Sequence, residues 1–186
     1  MKTKRYFNQI LKPYKNIIKE ITGNYTDIRI TIGEKFCCFC RDNYDLEIEI
    51  PVFEDIAGSK AFNEKMKNRL KEYGIQEQYS NEILSFLHEI GHIYTYSKFN
   101  DFMYIKMTNL IMKIQAMFCN SEKVKQWAYK KYFNLALEKN ADKWAMQYIK
   151  EHQEQVRQWE QAIAKNYAKI LPKMINKLDL LELVSD

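Results

Sequence analysis

The sequence predicts an α+β fold: an N-terminal helix, a three-stranded antiparallel sheet, and then a predominantly helical remainder. Three observations predict it. Glycine (5) and proline (3) are scarce among 186 residues, which favours long helices with few turns over a many-stranded sandwich. Apolar residues alternate with polar ones at period two only between Ile28 and Ile50. From about Gly58 onward they recur at three- and four-residue spacings, the period of a helix.

The first helix covers about Arg5 to Ile21, with Ile10, Leu11, Tyr14, Ile17, Ile18 and Ile21 on one face and Gly23 as its stop. Pro13 would remove a hydrogen bond from a continuous helix, so a kink or a helix start is expected nearby. Three strands follow: Ile28–Ile32, Phe36–Cys40 and Leu46–Ile50. Their short connections predict an antiparallel meander with one apolar face that needs a cover. Pro51 places the third strand at or near an edge, with Asp45, Glu47 and Glu49 on its polar side. That edge is a candidate for adding an extended peptide as a further strand, although charge on an edge strand also serves simply to protect it. A charged helix spans about Ala61 to Tyr73 and stops at Gly74. The next is capped at Ser80 and runs through Ile83, Leu84, Leu87, Ile90 and Ile93. Breaks are expected at Asn100–Asp101 and Asn120–Ser121, and Pro172 is expected to set off a last short segment. No internal repeat or low-complexity linker interrupts the chain. It reads as one domain over 1–186, with a helical extension from about 151.

Hydrophobic residues make up 46% and charged residues 28%, ordinary values for a globular chain able to bury its own core. The net charge of +5 is mild, and lysines are interspersed with acids, as in Glu122, Lys123 and Lys125. That pattern describes a solvated helix face rather than a nucleic-acid stripe. No stretch is apolar enough to span a bilayer, and Asn8, Gln9, Lys12 and Lys15 interrupt the region where a signal peptide would need an apolar core. Cys37, Cys38 and Cys40 lie too close along one strand to pair with each other, which fits a reducing, cytoplasmic setting. With Cys119 they read as buried small hydrophobes, since no C-x-x-C knuckle is present. Trp127, Trp144 and Trp159 read as core or helix-packing residues.

The chemistry is carried by Leu87-His88-Glu89-Ile90-Gly91-His92. Residues four apart lie one turn apart on one helix face, so the imidazoles of His88 and His92 can share one metal ion. Glu89 is displaced around the helix, where it can take a proton from a water activated at the metal's open side. Two of the three histidines in the chain fall in this motif. Two imidazoles and one carboxylate suit zinc, one ion per chain. The candidate third ligand is Glu138, in Leu137-Glu138-Lys139-Asn140-Ala141-Asp142. Asp142, one turn on, is placed to hydrogen-bond the outer nitrogen of a ligand histidine. Small Ala141 and Ala145 would let the two helices approach closely. Asp101 and Glu122 are rival ligands without such a paired aspartate. Tyr94 and Tyr96, just after the motif, are candidate oxyanion donors.

His88-Glu89-x-x-His92 followed by Glu138-x-x-Ala141-Asp142-x-x-Ala145 resembles the gluzincin pattern of metallopeptidases, and is similar to small bacterial and phage metallopeptidases of the ImmA/IrrE type. The resemblance implies a short sheet packed on the HExxH helix and a following glutamate-bearing helix. It also implies a protein substrate, often a transcriptional repressor. The separation between His92 and Glu138, 138 − 92 = 46 residues, is long for that family and points to a helical insertion near 101–120. The expected function is zinc-dependent hydrolysis of a peptide bond in a protein or peptide, with no membrane involved. Two rivals stand beside it: a non-catalytic interaction module of a phage or mobile element, and a DNA-associated metalloprotease recruited by the basic charge.

Overall fold

A computed structural model describes residues 2–23, 28–33, 37–40, 46–51, 60–95, 98–118 and 121–182. It is mostly helical with one small sheet, an α+β arrangement. The chain divides into two compact units. One is formed by Met1–Ile56 with His152–Asp186, the other by Ala57–Glu151.

In the first unit, helix α1 (Lys2–Ile10) is followed after Leu11 by α2 (Lys12–Thr22). Pro13 stands in the first turn of α2, where its missing N–H would have had no helical partner. The kink or start expected near Pro13 is a helix start, and the 5–21 stretch is two helices divided just before the proline. Gly23 closes α2 with φ of 71°, a conformation open to glycine at little cost. The long α8 (Gln153–Glu182) packs against both. Ile10, Tyr14, Ile17 and Ile18 are buried in this unit, as are Val156, Trp159, Ile163 and Ile170. Asn166 donates its amide to the carbonyl of Gln9, and the Trp159 indole donates to Glu20 at 2.7 Å. Helix α8 runs through Pro172 rather than breaking there. Both Pro172 and Ala168, the residue whose carbonyl loses its partner, are exposed, so water can satisfy that carbonyl.

The sheet consists of β1 (Ile28–Gly33), β2 (Cys37–Cys40) and β3 (Leu46–Pro51), in the order β1-β3-β2. It is mixed, not an antiparallel meander. β1 pairs with β3 in parallel, Ile30 opposite Ile48, and β2 pairs with β3 antiparallel, Cys38 opposite Ile48. The third strand is thus central, with both edges occupied, so it offers no edge to an incoming peptide. Ile48 and Ile50 are fully buried on it. Glu47, expected on a polar face, is only 2% exposed and accepts a hydrogen bond of 2.7 Å from the Thr31 hydroxyl. The apolar face is covered within the unit: Ile32 packs against Ile10 and Ile170. The cysteine side chains lie outside the described residues.

The first helix of the second unit is α3 (Lys60–Glu72), and Gly74, with φ of 71°, turns the chain just after it. α4 (Asn81–Thr95) carries the HExxH motif. Ser80 caps it, its hydroxyl accepting from the Ile83 N–H at 3.4 Å. Residues Ile83 to Gly91 are buried without interruption, so α4 is enclosed nearly all round. α5 (Lys98–Met117) begins before Asn100–Asp101 and contains them in its first turn, a position where an aspartate suits the helix dipole. The expected break there is instead a helix start displaced by a few residues. α6 (Glu122–Tyr132) is capped by Ser121 and joined by a tight turn to α7 (Ala136–Glu151). Helix α7 packs along α4. Among the described residues, no helix is long and apolar enough to cross a membrane.

Candidate metal centre

Helices α4 and α7 meet at three small residues. Gly91 is buried, and a β-carbon added there would stand 2.5 Å from the carbonyl oxygen of Ala141 and 2.9 Å from its Cα. Ala141 and Ala145 are fully buried at the same seam. The close approach brings the polar residues of both helices into one dry space. Relative exposure is 3% for His88, 8% for Glu89, and 1% for both Glu138 and Asp142. Charged groups so buried need partners of opposite charge or a metal.

The Glu138 carboxylate faces both histidines. Its Oε2 is 3.2 Å from His88 Nε2, and its Oε1 is 3.6 Å from His92 Nε2. Ligand atoms on a tetrahedral zinc with bonds of about 2.0–2.1 Å stand roughly 3.3 Å apart. The two imidazole rings are 4.7 Å apart between centroids and nearly perpendicular, at 79°. Ligating atoms of His88, Glu89 and His92 all fall within 4.8 Å of one another. Nδ1 of His92 is buried without a hydrogen-bond partner among the described residues. These residues fit a zinc ion: two ring nitrogens converge on one buried carboxylate.

Asp142 stands behind His88, its Oδ1 2.9 Å from Nδ1. Two cations of α3 hold it: Lys65 Nζ at 2.8 Å and Arg69 Nε at 3.5 Å. Phe62 meets His88 edge-on at 5.5 Å, and Lys65 lies over the rings of Phe62 and Phe133. Burial alone would raise the pKa values of Asp142 and Glu138. The bond to His88 and the surrounding positive charges outweigh it, and both are lowered. Burial would likewise lower His88, but the carboxylates of Asp142 and Glu138 outweigh it and push the imidazole up to about 9. For His92 burial wins, aided by the charge of His88, and its pKa falls to about 4.

The two carboxylates on opposite sides of His88 can only accept hydrogen bonds. In the metal-free chain both ring nitrogens therefore carry protons, and the Nε2 proton must leave when a metal binds. His88 keeps this proton until the pH passes its raised pKa of about 9. Zinc uptake at pH 7.5 is thus expected to release close to one proton, and affinity to rise about tenfold per pH unit up to about 9 before levelling. Calorimetric titrations in buffers of different ionisation heat measure this directly. Zinc uptake without proton release at pH 7.5 would contradict the arrangement around His88.

Of the residues singled out from the sequence, His88, Glu89, His92, Glu138 and Asp142 are brought together. Glu122 is exposed at the start of α6 beside Lys125, away from any such cluster. The side chain of Asp101 and all of Tyr96 lie outside the described residues. Tyr94 is 48% exposed, and its ring stacks on Trp144 at 4.8 Å. Trp159 is buried, whereas Trp127 is exposed rather than in a core.

Sequence reasoning missed a second tyrosine pair. The hydroxyls of Tyr104 on α5 and Tyr132 on α6 are 2.7 Å apart. Tyr132 is held far above its usual pKa, first by burial and then by the Glu138 charge and by hydrogen bonds to Tyr104 and Glu138. Tyr104 rises to about 12 through burial, with the Glu138 and Glu89 charges adding to it. In a chain with 13 tyrosines, no spacing marks these two. The cations Lys65 and Arg69 are four apart on α3, a spacing equally typical of a solvated helix face.

No protein family, curated protein or solved structure matches the chain.

Proposed function

We propose that the chain is a zinc-dependent peptidase of zincin-like construction, acting on a protein or peptide substrate in a reducing, cytoplasmic setting. The observation that carries the reading is the placement of both histidine Nε2 atoms against one buried glutamate, with Glu89 beside them. His88, His92 and Glu138 would hold the ion. Bound zinc supplies Lewis-acid polarisation of the scissile carbonyl and lowers the pKa of water toward neutrality. Glu89 takes a proton from the attacking water as its oxygen bonds to the carbonyl carbon, and delivers it to the amine nitrogen as the C–N bond breaks. Asp142 fixes the ring of His88, and Lys65 and Arg69 keep Asp142 ionised in its buried position.

The first test is metal content by elemental mass spectrometry, on untagged wild-type protein and on Glu138→Ala. About one zinc per wild-type chain and a sharp loss in the variant are expected. Zinc retained in full by Glu138→Ala would remove Glu138 from the ligand set. Wild-type protein that takes up no zinc would remove the peptidase reading.

A second reading is a binding module that keeps this centre without turnover. It draws on the apolar side chains that α5 leaves exposed, among them Phe102, Ile105, Leu110 and Met112.

A further inference from the structure

The chain between His92 and Glu138 contributes more than length. Helices α5 and α6 carry Tyr104 and Tyr132, whose hydroxyls are 2.7 Å apart, and Tyr132 also hydrogen-bonds Glu138. Tyr104 also lines a cleft of about 310 Å³ between α5 and the start of α7. Met103, Tyr104, Met107, Leu135, Ala136 and Leu137 line it, together with Asn134. The Asn134 amide nitrogen donates to the Lys130 carbonyl at 2.7 Å. Leu137 immediately precedes Glu138, so the cleft wall and the candidate ligand are consecutive residues of one helix.

We infer that this cleft is the subsite for an apolar side chain of the peptide, next to the bond to be cleaved. The inference rests on the peptidase reading above. The lining is mostly methionine, leucine and alanine side chains with the tyrosine ring and holds no charged residue, so an apolar side chain gains contact there while a charged one gains no ion pair. The volume is at the low end for small-molecule sites, which begin at about 300 Å³, and suits one large side chain. Met103 and Met107 are unbranched and adaptable, so leucine, methionine and phenylalanine are all acceptable occupants. Tyr104 forms part of both the wall and the hydroxyl pair, and so connects a filled cleft to the Glu138 side of the centre.

The test is binding, not turnover. Zinc-loaded protein is titrated with hydroxamates bearing a glycine, leucine, phenylalanine or lysine side chain on either side of the chelating group. In one of the two orientations, the leucine and phenylalanine probes are expected to bind roughly 10- to 100-fold tighter than glycine, the range that filling an apolar pocket supplies. In Ala136→Trp, which fills the cleft from an exposed helix start, that ratio is expected to fall to near one while zinc content is retained. Met107→Ala is the second variant, and it should move the preference from leucine toward phenylalanine. Equal affinity for all probes, a lysine preference, or ratios unchanged in both variants would overturn the subsite and leave the peptidase reading intact. Zinc-loaded protein that binds no hydroxamate would have no open metal position, and would overturn both.

Discussion

Glu89→Gln is expected to retain one zinc per chain and to lower peptide hydrolysis by about 100- to 10,000-fold, the usual contribution of a positioned general base. Glutamine keeps the size and polarity of the side chain but cannot take a proton. The proposed ligands His88, His92 and Glu138 are untouched, so metal content separates loss of chemistry from loss of the site. Glu89 is the right group to test because it is buried with both histidines, while the proposed ligand set is completed by Glu138 instead. The measurements are zinc per chain and the cleavage rate of a peptide mixture read by mass spectrometry. A variant that holds zinc and cleaves at the wild-type rate would remove Glu89 from the mechanism. If Glu89→Gln also keeps full biological effect while wild-type protein cleaves nothing, the binding-module reading takes first place.

Gly91→Ala is expected to destabilise the metal-free protein and to weaken zinc binding together. In an ordinary helix interior the change would stabilise by about 1 kcal/mol, because glycine is a poor helix former. Here the new methyl would meet the backbone of Ala141 at 2.5 Å and 2.9 Å, and a facing helix backbone cannot swing aside as a side chain can. Overpacking of this kind costs about 1–3 kcal/mol, so the steric term exceeds the propensity gain. Relief requires α7 to move away from α4, which carries Glu138 away from His88 and His92. Denaturant unfolding and zinc titration of the same variant measure both effects. A rise in stability with unchanged zinc affinity would show that the two helices are not held this closely.

The legible part of the centre is the part that is local. His88, Glu89 and His92 share one turn of one helix, and the geometry of a single helix follows from spacing alone. Glu138 and Asp142 were legible for the same reason, as a pair four apart beside small residues on an apolar stripe. The glycine within the motif was visible too, but its purpose was not. Its role depends on how near Ala141 comes, and that is a property of two helices rather than one.

Legible from the chain alone were the strand segments, the HExxH helix with its cap at Ser80, the glycine stops at Gly23 and Gly74, and the residues of α4 and α7 that converge. Each follows from backbone preferences and side-chain period within a short window. The strand order came from packing. The alternation of Ile28, Ile30 and Ile32 with polar neighbours is the same whether β1 pairs with β2 or with β3. Only the tertiary structure placed Lys65 and Arg69 behind Asp142, and Tyr104 and Tyr132 beside Glu138. Those partners come from helices distant in sequence. What selects them is the need to satisfy buried charge, a condition that exists only once the helices have packed.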